Sequence, residues 1–223
     1  MFDHKQLIYL LNTQDSILNT IQMEIKYYKE ALYQHALHIY TEANPNPNSM
    51  KFMLNVMLLN EGSSVDFPDL ASAKNSPLAQ ELFSYPFVKR VFYMSNFITV
   101  TKDESVEWGE VMGEVKNHIK QFFAEKKPLF TDDQPTVIVE ANNDSESVKK
   151  IKGILDEYIR PAVEMDGGAI QYQSFDEATG KLQVMLQGSC SGCPSSMVTL
   201  KAGIENLMKK MVPTVKEVVA FEG

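Results

Sequence analysis

Gln187-Gly-Ser-Cys-Ser-Gly-Cys-Pro194 decides how the C-terminal third of this chain is read. It holds the only two cysteines of the 223 residues, as one Cys-x-x-Cys. Proline is favoured at the first position of a helix, so Pro194 marks Cys193 as the N-cap of a helix to follow. Met197, Leu200, Ile204, Leu207, Met208 and Met211 then recur at helical spacing. Working backwards, Lys181–Leu186 alternates Leu182, Val184 and Leu186 to one face and reads as a strand. Glu177-Ala-Thr-Gly180 is a turn in which Gly180 is free to take positive φ. Ala169–Phe175 is the partner strand, entered through the Asp166-Gly167-Gly168 turn. Val148, Ile151, Leu155 and Ile159 make one apolar helix face, which Pro161 is expected to kink or end. Val215–Phe221 closes as a third strand. Residues 147–223 are thus expected to form a small α+β domain with a three-stranded sheet and two helices.

Residues 36–130 read as another α+β domain. Asn44-Pro-Asn-Pro-Asn48 interrupts regular structure, because its prolines fix φ and lack a donor. Met50–Leu59 is an apolar run read as a strand. Ser76 and Pro77 supply a cap and a first helical residue, and that helix is expected to stop near Tyr85-Pro86. Val88–Met94 and Phe97–Lys102 predict a hairpin around Ser95-Asn96. Glu107–Phe123 predicts a helix with Val111, Val115, Ile119 and Phe122 on one face, opened by Trp108 packing on the sheet. Before this domain, Ile17, Ile21, Ile25, Tyr28 and Leu32 predict a helical extension within residues 1–35.

Charge marks the join between the domains. The formal net charge is −8, of which −5 sits in residues 131–146, where there are five acids and no base. This stretch reads as a self-repelling acidic linker, with Val137–Val139 a small apolar island inside it. An acidic chain lacks the basic face of a dedicated nucleic-acid binder. No apolar run approaches the roughly 20 residues that span a bilayer. Met1–Leu11 carries Asp3 and has no small-residue cleavage site, which argues against a secretory signal, and the first arginine is Arg90, which argues against a mitochondrial transit peptide. With the cysteine usage, this leads to the expectation of a reducing, bacterial cytoplasm.

The chemistry rests on Cys190 and Cys193. An N-cap side chain faces the unpaired N–H groups of the first helical turn, which favour a thiolate. Gly188 and Gly192 are expected to leave the sulfurs uncrowded and accessible. Such thiolates ligate soft metals. The residues alone leave three readings open: metal or cluster ligation, a redox dithiol, and inert thiols. Iron–sulfur clusters and thiolate-rich zinc sites need four ligands, while one chain offers two. The four histidines, His4, His35, His38 and His118, all precede the linker. Two chains around a two-fold axis supply four cysteines.

Ile159-Arg-Pro-Ala-Val-Glu-Met-Asp-Gly-Gly168, the cysteine motif and the helix after it resemble the C-terminal domain of NifU, the module of Nfu-type iron–sulfur scaffold and carrier proteins. Thr41-Glu-Ala-Asn-Pro-Asn-Pro-Asn48, Lys51-Phe52, Ser76-Pro77-Leu78-Ala79 and Phe97-Ile-Thr-Val-Thr-Lys102 similarly resemble the Nfu N-terminal domain. The resemblance implies a non-catalytic protein that assembles a [4Fe–4S] cluster on Cys190 and Cys193 of two chains. It further implies a homodimer joined through the cluster, apo iron–sulfur proteins as clients and an upstream assembly machinery as donor. A [2Fe–2S] cluster is the smaller alternative. Two competing readings of the same pair are a thiol–disulfide oxidoreductase and a zinc-bridged structural dimer.

Elsewhere the plainer readings prevail. Asp166-Gly167-Gly168 reads first as a turn and only second as part of cluster presentation. His35 and His38 read as surface residues, and the methionines of the last helix as core packing. The N-terminal domain has no catalytic set: no Ser–His–Asp grouping, glycine-rich phosphate loop or His-x-x-x-His.

Overall fold

The Asn44–Asn48 loop separates two paired strands, β1 (Ile39–Ala43) and β2 (Ser49–Leu54), as its prolines predict. The computed structural model describes residues 37–60, 62–131, 144–191 and 194–223. The expected helix of the N-terminal extension, His4, His35, the Val137–Val139 island, most of the acidic segment and Cys193 lie outside them. Residues 39–223 form one compact unit built on two sheets.

The first sheet has the order β1-β2-β5-β4-β3 and is antiparallel throughout, with β3 at Ser64–Phe67, β4 at Val88–Met94 and β5 at Phe97–Lys102. The β4–β5 hairpin turns at Ser95, whose φ is 45°, and Asn96, as expected. The apolar run after Met50 is a strand only to Leu54, shorter than expected. No partner remains beyond that point, because β1 begins at Ile39 opposite Leu54 and β5 begins at Phe97 opposite Met53. The chain instead wraps the hairpin end, with Leu58 N–H and Leu59 N–H donating to Ser95 O at 2.6 and 3.1 Å. Strands β1 and β3 have no counterpart in the sequence reading. Both are short and at the sheet edges, where half-exposed residues blur a period of two.

One face of this sheet is apolar. Phe52, Val91, Tyr93, Ile98 and Val100 are fully buried there. Helices α1 (Pro77–Phe83) and α2 (Trp108–Ala124) cover it. Trp108 opens α2 and meets Phe52 edge-on at 6.0 Å, as the sequence predicts. His118 of α2 ties the helices together, sharing hydrogen bonds of 2.9 Å with both Tyr85 and Glu81.

Ser76 caps α1 as expected, accepting from Ala79 N–H at 3.4 Å, and its hydroxyl also meets the hydroxyl of Tyr93 at 3.2 Å. Both residues are fully buried. Ser76→Ala therefore loses a cap and leaves a buried phenol unpaired. It is expected to lower unfolding stability by about 2–4 kcal/mol in urea denaturation. A loss below about 1 kcal/mol would show that Tyr93 finds another partner.

The other face is polar, and it is also buried. Register places Ser49, Lys51, Met53, Ser64, Asp66, Arg90, Phe92, Met94, Phe97, Thr99 and Thr101 on it. What covers it is the second sheet and the loops at its end.

That second sheet has the order β6-β7-β8, with β6 at Gly168–Asp176, β7 at Lys181–Gly188 and β8 at Glu217–Glu222. Strands β6 and β7 form an antiparallel hairpin, turned at Gly180 with φ of 74°. Strand β8 runs parallel to β7, a pairing that needs a long crossover. Helix α5 (Pro194–Met211) is that crossover, preceded in the chain by α3 (Glu146–Ile154) and α4 (Arg160–Met165). Pro161 does not end the helical stretch. A wide turn at Leu155–Ile159, in which Arg160 N–H reaches back to Leu155 O, precedes the proline, and six residues of α4 follow. The wider ring relieves the clash between a proline and the carbonyl four residues earlier. Ile151, Ile154, Leu182, Val184, Leu186, Ile204, Met208 and Val218 make the core here. Met208 is core, as expected of a methionine on this helix face. Among the described residues, no helix is long and apolar enough to cross a membrane.

Candidate functional site

Strand β7 ends at Gly188, with φ of 64°, and Ser189, Cys190 and Ser191 follow in a tight turn. Both serines spend their hydroxyls on the backbone. Ser189 donates to Asp166 O, and Ser191 to Leu186 O at 3.2 Å. Ser191 N–H closes the turn on Gly188 O at 3.2 Å. Ser189 and Ser191 are each 2% exposed, so these bonds replace lost water.

Cys190 sits within this turn and is 6% exposed. Its side chain belongs to the same core as Ile151, Ile170 and Leu186. The expectation of an uncrowded, accessible sulfur is corrected at this residue. The sequence shows the flexible Gly188 but not the neighbour that closes over the turn, which is the Asp166–Gly168 segment. A Cβ on Gly168 would lie 2.5 Å from Gln187 O and 2.9 Å from Cys190 Sγ. Only glycine lets β6 start this close to the cysteine. The Asp-Gly-Gly stretch is thus a turn, as read, and also one wall of the cysteine site. Pro194 opens α5 as predicted, while Cys193, the expected cap and second ligand, lies outside the described residues.

The polar face of the first sheet reaches these loops, a contribution the sequence reading missed. Asn46 Nδ2 donates to Ser189 O at 3.0 Å, and Thr99 Oγ1 donates to Gly167 O at 2.7 Å. Lys51 Nζ donates to the last carbonyls of α4, Glu164 O at 3.3 Å and Met165 O at 3.2 Å, where a cation also suits the helix dipole. Asp66 accepts from Nε and Nη2 of Arg90, each at 3.0 Å. Arg90 also donates to Gly223 O. Phe92, Met94, Phe97 and Ala169 fill the space between with a small apolar cluster. Two signals in the sequence bear on this face. One is the Phe97-Ile-Thr-Val-Thr-Lys102 alternation, which puts hydroxyls where a solvent face was the simpler reading. The other is the asparagine ladder of residues 44–48.

Electrostatics follow from the burial. It pushes the Asp66 carboxyl above its ordinary value of 3.8, against the opposing pull of Arg90 and the Gly188 N–H. Asp166 is raised too, again by burial, with Lys51 working the other way. Among the described residues histidine takes no part: His38 is exposed, and His118 is engaged between the helices on the far face of the first sheet. Among the described residues, no group of three His, Cys, Asp or Glu side chains is placed to hold a metal.

Residues 39–126 match the family described as scaffold protein Nfu/NifU N terminal, and residues 151–219 match the NifU-like domain. NifU-like protein 5, mitochondrial, of Arabidopsis thaliana is 43% identical over 83% of this chain and 68% of its own length. The chain belongs to the Nfu/NifU-like family. The Nfu-family relative named NFU1 iron-sulfur cluster scaffold homolog, mitochondrial, of Drosophila willistoni is 42% identical over 83% of this chain and 64% of its own length. This Nfu chain therefore spans about two thirds of the relatives it matches. A solution structure of a NifU-like protein from Saccharomyces cerevisiae aligns with 45% of the chain and 89% of its own, at 27% identity and a TM-score of 0.40.

These relatives overturn one expectation. A plant and a fly Nfu protein at this identity are both named mitochondrial, which points away from a bacterial cytoplasm. Arginine content reports on a targeting segment, whereas the likeness resides in the folded domains.

Proposed function

We propose that this chain is an iron–sulfur cluster scaffold and carrier that works in a mitochondrial setting. The observation that carries the proposal is the single Cys-x-x-Cys between β7 and α5 of a NifU-like domain. Two thiols per chain are half of what a cluster needs, so two chains share the cargo. Cys190 and Cys193 of each protomer ligate a [4Fe–4S] cluster. Release is ligand exchange: each iron–thiolate bond to the scaffold that breaks is replaced by one to an apo client, the client thiol's proton passing to the departing scaffold thiolate, with no change of oxidation state. The role is non-catalytic. Partners are a second copy of the chain, apo iron–sulfur proteins and the machinery that supplies iron and sulfide. A cluster held by only two ligands from each chain is easier to give away than one enclosed by four.

Anaerobic reconstitution with iron and sulfide tests this. The expected product is a brown dimer by size-exclusion chromatography, with a broad band near ~400 nm and about two irons per chain. A colourless protein with about half a zinc per chain would instead establish a structural zinc dimer. A colourless monomer that reduces insulin disulfides would establish the dithiol enzyme.

A further inference from the structure

Ligation between two chains, the reading this inference rests on, requires Cys190 to reach out of its own domain, yet its side chain is 6% exposed and part of the domain core. Something must decide how readily the turn releases it. The turn's own domain supplies part of the restraint through the two serine hydroxyls. The rest comes from the first sheet, and it is aimed at main-chain groups on both sides of the sulfur.

Asn46 is the best-built of these contacts. It is 4% exposed and held by an asparagine ladder: Asn46 N–H donates to Asn44 Oδ1 at 3.1 Å, and Asn48 N–H to Asn46 Oδ1 at 3.0 Å. Pro45 and Pro47 fix φ between them. The side-chain amide is thereby presented to Ser189 O, the carbonyl immediately before Cys190. Thr99, 1% exposed, holds Gly167 O, and Gly167 O in turn accepts from Ser189 N–H at 3.3 Å. One side chain from the loop between β1 and β2 and one from the sheet face thus fix both walls of the cysteine turn.

We infer that Asn46 and Thr99 are positioning residues: they hold the turn with Cys190 inward, and the first sheet and its β1–β2 loop thereby set how often the thiol is offered to a second chain. The Asn-Pro-Asn-Pro-Asn loop is the rigid arm of this device. Breaking these bonds raises the population of the open turn without touching either cysteine, because a group that reacts only when exposed does so in proportion to its opening.

The test is alkylation of Cys190 by iodoacetamide in a Cys193→Ser background, where it is the one thiol left in the chain. Asn46→Ala with Thr99→Val is expected to raise the alkylation rate about tenfold, two hydrogen bonds being removed. Thr99→Val alone keeps the shape and strand preference of threonine, so it guards against simple misfolding, and it is expected to give about a threefold rise. Thr99→Ser, which keeps the hydroxyl, is expected to react at the parent rate. Equal rates in parent and double variant, with unchanged circular dichroism, overturn the inference. So does a Thr99→Ser as fast as Thr99→Val. The assay uses no iron or sulfide. Failed reconstitution with accelerated alkylation sinks the scaffold reading and leaves the positioning role standing, and the reverse pair of results does the opposite.

Discussion

Cys190→Ser takes up less than about a tenth of the iron that the parent chain binds on anaerobic reconstitution, and it elutes as it does without iron. A serine hydroxyl stays protonated at neutral pH and is a poor ligand for a soft metal, whereas a thiolate is a good one. The substitution removes two of the four ligands at once, because each protomer contributes the same residue. Cys193→Ser is expected to fail equally. Sharing between chains has a sharper signature in the elution volume. A cluster shared by two chains carries about two irons per chain at the dimer position, and its assembly slows as the chain is diluted, because two chains must meet. If each chain held its own metal, the iron would elute with the monomer. Size-exclusion chromatography with iron counting therefore decides between the two arrangements. The serine is nearly isosteric and sits in a turn that already holds two buried serines, so the fold is expected to survive, which the thermal midpoint of each variant checks.

Arg90→Met costs about 3–5 kcal/mol of stability, measured by denaturant unfolding at neutral pH. The side chains of Arg90 and Asp66 are 12% and 3% exposed, so removing the guanidinium strands a buried carboxylate. The main-chain N–H groups of Gly188 and Phe67 still favour the ionised Asp66, but they do not replace a bidentate cation. The pH dependence identifies the cause. Asp66 already has its folded-state value raised by burial, and loss of Arg90 raises it further. A raised acid is most favourable to the fold below its unfolded value, near 3.8, and loses that advantage as pH rises through the folded value. The penalty of Arg90→Met is therefore largest at neutral pH and shrinks as the solution is acidified toward pH ~4. A penalty that stays constant with pH would locate the loss in the bond from Arg90 to Gly223 O instead.

The β4–β5 and β6–β7 hairpins, the capped start of α1, the Trp108 helix and the α5 crossover were all legible in the chain. Each is set by neighbours within one or two turns: a cap at Ser76, prolines at 77 and 194, glycine at 180, and apolar residues at a period of two or 3.6. The cysteine pair was equally plain, since two thiols and a proline need no tertiary context to be noticed. The length of β2 was not, because a strand ends where its partners end, and those partners lie elsewhere in the chain.

The burial of Cys190 and the role of the first sheet belong to the same class. Asn46 and Ser189 are 143 residues apart in sequence, and Thr99 and Gly167 are 68 apart. No periodicity or spacing links such residues, and a polar sheet face reads as a solvated one until its cover is known. The sequence by itself determined most of the elements, which family the chain resembles and which two side chains are the candidate ligands. The tertiary structure alone decided that the polar face of one sheet is spent on the backbone of the cysteine turn. The physical reason is that buried carbonyls and N–H groups must be paired, and only the assembled fold shows which distant side chains come within reach of them.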